Sequence, residues 1–111
     1  MAASSNNSDL EVRFKNFLLQ IRQHILKPGH IMEIAFRFDI EHSHVKIWFE
    51  DYPSDIVAVI FELIGAILKR MKNKTIQQKI FAFVSACDGN NFMNVERLLE
   101  GCNISPDEWK N

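Results

Sequence analysis

Apolar residues in the first part of the chain return at helical intervals, with Leu10, Phe14, Phe17, Leu18, Ile21 and Ile25 sharing one face. Ser8-Asp9-Leu10-Glu11 stands before them, and this spacing lets Ser8 cap the backbone while Glu11 reaches back to it. Lys27-Pro28-Gly29 predicts the end of that helix, because the residue before proline avoids helical angles and glycine permits a sharp exit.

From Met32 the repeat shortens to two. Met32, Ile34, Phe36, Phe38 and Ile40 alternate with Glu33, Ala35, Arg37 and Asp39, the pattern of a half-buried strand. A second alternation sets Val45, Ile47 and Phe49 against Lys46, Trp48 and Glu50, which makes Glu41-His42-Ser43-His44 a hairpin loop. A four-residue loop places Asp39 opposite Lys46 and Arg37 beside Trp48, avoiding the like-charge pairs of a shorter one.

After Asp51-Tyr52-Pro53 a long helix is predicted from about Ser54, its cap, to Met71. Lys69, Arg70, Lys72 and Lys74 gather at the end where the helix dipole favours cations. Its apolar residues cover nearly the whole circumference, as expected of a helix that is central or shared with a second copy. Thr75-Ile76-Gln77-Gln78 opens a third helix with another capping box, and Asp88-Gly89 closes it. A fourth helix spans about Phe92 to Glu100, and Ser105-Pro106-Asp107-Glu108 begins a short turn ending in Trp109.

The expected architecture is therefore α+β: an N-terminal helix, an antiparallel β-hairpin, then three helices and a C-terminal helical turn packed on one face of the hairpin. At 111 residues and 47% hydrophobic, the chain has room for one core. Residues 1–8 read as a disordered leader and residues 9–111 as a single domain. The apolar window from Ile56 to Leu68 is too short for a membrane span. The opening Met1-Ala2-Ala3-Ser4-Ser5 lacks the features of a secretory signal, and Cys87 and Cys102 both fall on apolar stripes as reduced thiols do. The expectation is a cytoplasmic protein without membrane contact.

Charge changes the picture by what it removes. Thirteen basic and 14 acidic residues give a net charge of −1, so no bulk field attracts nucleic acid. A local patch remains at Lys69, Arg70, Lys72 and Lys74, the residues of an alternative reading as a nucleic-acid-associated regulator. The stretch from Val95 to Trp109 resembles a helix-turn-helix, but its second helix begins Pro106-Asp107-Glu108, and acid repels phosphate. The segment from Ala86 to Gly101 resembles one ankyrin-like helical pair in its glycine and leucine spacing. Ankyrin units need stacked neighbours, and nothing upstream repeats the pattern.

Catalytic motifs are missing. The sequence has no Gly-x-Ser-x-Gly, no Cys-x-x-Cys and no phosphate-cradling glycine loop, so neither an enzyme nor a cofactor is expected. Glu50, Asp51 and Asp55 can in principle do acid and base work, but their place before a helix suits capping better. His42 and His44, two apart on an extended segment, are weak metal candidates and support a second alternative, a small metal-dependent enzyme. His30 would lie ~30 Å away at ~3.3 Å per residue and cannot complete the ligand set. What remains is the outward face of the hairpin, with Arg37, Lys46, Trp48 and Tyr52, among which Arg, Trp and Tyr are the residue types of binding hot spots. The sequence thus reads as a small non-catalytic protein-binding module of inhibitor, immunity, antitoxin or adaptor type. Its partner is another protein or a second copy as a homodimer, engaged through the hairpin edge or face.

Overall fold

The computed structural model describes the backbone of residues 2–110 and the side chains of residues 9–110. Among these residues there is no strand. The chain forms α1 (Ala2–His24), α2 (Pro28–Arg37), α3 (His42–Asp51), α4 (Ile56–Arg70), α5 (Ile76–Ala86) and α6 (Val95–Gly101), followed by a 3-10 turn at Pro106–Glu108. The backbone of α1 is helical from Ala2, so Ser8 falls within the helix and does not cap it; the side chains of residues 1–8, the expected leader, lie outside the described residues.

The all-helical structure overturns the α+β class and the β-hairpin. α2 buries Ile31, Ile34 and Ala35, with Phe38 half-buried beyond them, and this is a helical series rather than an alternating one. Pro28 opens α2 at its first turn, where the missing N–H costs nothing, so the Lys27-Pro28-Gly29 stop is also a start. The supposed hairpin loop lies at the beginning of α3, with Glu41 flanking and His42 to His44 in the first turn. The true reversal comes earlier, at Asp39, whose φ of 58° is left-handed. There Asp39 N–H donates to Phe36 O at 3.1 Å and Ile40 N–H to Ala35 O at 2.9 Å, closing a Schellman motif. The physical reason is backbone satisfaction. A lone two-stranded ribbon leaves two rows of N–H and C=O groups open, whereas a helix pairs most of its own.

Two compact units emerge. One, contiguous in sequence, is Ile25–Asn73, in which α2, α3 and α4 pack pairwise on one another instead of helices covering a hairpin. Its interior holds Ile31, Ile34, Val45, Val59, Leu63 and Ile67. α4 starts one residue later than expected at its cap: Asp55, not Ser54, accepts from Ala58 N–H at 3.0 Å.

The other unit joins the chain up to His24 with the chain from Lys74, packing α1, α5 and α6 together. Phe17 and Phe83 meet edge to face with centroids 5.6 Å apart, and Phe14 lies 6.1 Å from each. The sequence-read capping box of α5 is present in full, Gln78 N–H donating to Thr75 Oγ1 and Thr75 N–H to Gln78 Oε1. Ser105 and Glu108 close a second box around the 3-10 turn. α6 begins later than its apolar pattern suggests, because Asn94 caps it through Arg97 N–H. It ends as α2 does, with left-handed Asn103 and an Ile104 N–H to Leu99 O bond.

Candidate interaction surface

The change from strand to helix redistributes every residue that the alternating pattern had placed outward. In α3 the inward stripe is Val45, Trp48 and Phe49, with Tyr52 at the helix end. Trp48 is half-buried rather than displayed, and Tyr52 is 37% exposed. Lys46 is exposed but lies roughly 200° around the helix from Trp48, so the two share no face. Arg37 ends α2, where its Nε donates to Glu33 Oε2 at 3.1 Å. Lys46 therefore does not join Trp48 and Tyr52 in one docking patch.

Other side chains take the outward positions. Phe36 is 79% exposed with Met32 one turn before it on α2, Ile47 is open on α3, and Val57 and Phe61 on α4 are 52% and 56% exposed. These are large apolar groups left in water by a unit whose interior is already filled. The signal that finds them is the surplus of apolar residues around the circumference of α4, which sequence reading registered, and a helical period over residues 28–51, which it did not.

The histidines offer no ligand set. Two positions apart on a helix, His42 and His44 point to nearly opposite sides, whereas an extended segment would have aligned them. Among the described residues, no group of three His, Cys, Asp or Glu side chains is placed to hold a metal ion. Lys69, Arg70 and Lys72 are all exposed at the end of α4, and Lys74 is exposed in the other unit.

In the discontinuous unit, Arg13 of α1 makes a clamp that sequence reasoning missed. Its guanidinium donates from Nη1 and Nη2 to the two carboxylate oxygens of Glu108, both at 2.8 Å, and from Nη1 to the Asn103 carbonyl at 2.6 Å. The Asp9 carboxylate meets Nε at 3.0 Å, off the line of a good hydrogen bond. The Arg13 hydrogen bonds hold the Glu108 carboxyl below the usual carboxylate range, against a smaller opposing effect of burial. The partners are 95 residues apart, so no local pattern reveals them.

A cleft of about 430 Å³ also lies in this unit, lined by Lys74, Gln77, Gln78, Phe81, Trp109 and Lys110. Phe81 and Trp109 face each other at 6.4 Å between centroids, and the Lys110 ammonium sits 5.8 Å from the Trp109 ring. Its described walls carry neither carboxylate, imidazole nor thiol; their polar groups include the Lys74 and Lys110 amines, the Thr75 hydroxyl and the Gln77 and Gln78 amides. Cys87 is buried, and burial pushes the Cys102 thiol up, which keeps it protonated and poorly nucleophilic. No helix among the described residues is long and apolar enough to cross a membrane. Compared with known family models, curated proteins and solved structures, the chain matches none.

Proposed function

We propose that this chain is a non-catalytic protein-binding module, of inhibitor, immunity, antitoxin or adaptor type, that works in the cytoplasm through helical faces of the Ile25–Asn73 unit. One observation carries the reading. Phe36, Phe61, Val57 and Ile47 stand exposed on three helices that already enclose a filled interior. Large apolar groups in water mark surfaces that another protein covers, and aromatic side chains supply most of the energy when they are covered. Helices offer no free backbone edge, so the affinity must come from side chains seated in a partner's grooves.

Capture from a native lysate with the immobilised chain, read by mass spectrometry, tests this. The wild type should retain a protein that Phe36→Glu releases at least tenfold, with helical circular dichroism unchanged. Equal capture by both proteins would overturn the reading.

A further inference from the structure

α4 carries an exposed stripe that is complementary to itself. Val57, Phe61 and Gly65 succeed one another at four-residue intervals and Leu68 continues them half-buried, which places all four along one side of the helix. Phe61 projects, and Gly65 one turn later leaves a hollow: a Cβ built there meets nothing within 4 Å. One edge of the stripe is charged. Glu62 and Lys69 stand seven positions apart, two turns, and so occupy the same flank. Both are exposed, and among the described residues neither lies within ion-pair distance of an opposite charge. The opposite flank holds Ile60 and Ile64, which the unit already buries.

We infer that the partner of this face is a second copy of the chain, docked antiparallel along α4 about a two-fold axis at Gly65. The inference rests on the reading of the Ile25–Asn73 unit as a protein-docking surface. With Gly65 on the axis, Phe61 of each copy lies one turn to one side. It meets the other helix one turn beyond its own glycine, in the hollow bounded by Gly65, Leu68 and Lys69. The contact is made twice, as an isologous interface requires. The same operation brings the charged flanks of both helices to one side of the pair, so each Glu62 faces the other copy's Lys69. A parallel copy would instead turn Glu62 and Lys69 toward the apolar flank of Ile60 and Ile64 and leave the charges unmatched. Charge complementarity therefore selects both the occupant and its direction.

Sedimentation equilibrium over a concentration series tests the arrangement, with circular dichroism as the fold control. The wild type should pass reversibly from one 12.9 kDa chain to two. Glu62→Lys should weaken that association about tenfold or more, and Glu62→Lys combined with Lys69→Glu should restore it, since the reversed pair is again complementary. Gly65→Leu fills the hollow and should abolish the dimer while the helix keeps its circular dichroism signal.

A chain that stays monomeric up to about 1 mM overturns the inference. So does a dimer that ignores all three α4 variants. If that monomer still captures another protein through Phe36, the docking reading survives and only the second copy falls; if capture is also insensitive to Phe36→Glu, both fall.

Discussion

The two units of this chain are built from similar helices but start them differently. In the discontinuous unit, α5 opens on Thr75, α6 on Asn94 and the final turn on Ser105 paired with Glu108, each a polar side chain that accepts a backbone N–H or exchanges bonds with one. In the contiguous unit, α2 opens at Lys27 and α3 at Glu41, and neither side chain caps. A helix without a side-chain cap must take its boundaries from elsewhere. Pro28 presets the first turn of α2, Asp39 reverses the chain after it, and buried Ile31, Ile34 and Val45 hold both helices to α4. One unit is punctuated by polar chemistry at α5, α6 and the final turn; in the other only α4, capped by Asp55, is so marked, and α2 and α3 take their limits from packing and chain reversal.

If that contrast is right, the contiguous unit should be the more sensitive to apolar truncation and the other to polar substitution. Ile31 is fully buried, and Ile31→Ala should cost about 2 to 5 kcal/mol in urea unfolding. A loss under about 1 kcal/mol there would show that packing does not define α2.

The Arg13–Glu108 clamp comes next. Glu108→Gln should cost about 1 kcal/mol near neutral pH, since a bidentate, part-buried pair exceeds an ordinary surface bridge. Because the Glu108 carboxyl is depressed in the folded chain, its contribution is present above the ordinary carboxylate pKa and is lost as pH falls through the folded value. Acid titrations of stability for wild type and Glu108→Gln should therefore converge at low pH; parallel curves would remove the clamp from the account.

The smallest effect discriminates most directly. Thr75→Ala should cost about 1 kcal/mol and Glu41→Ala less than about 0.5 kcal/mol, measured as paired shifts in denaturation midpoint.

The same contrast explains what could be read from sequence. Thr75 with Gln78 and Ser105 with Glu108 announce themselves by spacing, and both elements stand where that spacing puts them. Over residues 28–51 no such punctuation exists, and two periods compete. Ile34 and Phe38 belong to both the alternating series from Met32 and the helical series from Ile31, and the many aromatic and branched residues tilt the choice toward a strand. What separates the two is not the pattern but the open edges that a solitary ribbon would carry. Once that segment is helical, Trp48 turns inward, Phe36 turns outward, and the candidate surface moves with them. The surplus apolar coverage of α4 was visible from the start. The Arg13 clamp was not, since a contact between positions 13 and 108 leaves no local trace.

The way the chain threads the two units has a consequence for how it acquires its structure. Everything in the Ile25–Asn73 unit is made of neighbours in sequence, so it can close over short loops while synthesis is still under way. The discontinuous unit cannot: Phe17 has no Phe83 to stack on until residue 83 has been made, and Arg13 no Glu108 to grip until residue 108 has followed. A nascent chain halted after Asn73 would hold one of these units in full and only the first helix of the other, exposing Phe14, Phe17 and Ile21 to whatever waits at the exit tunnel.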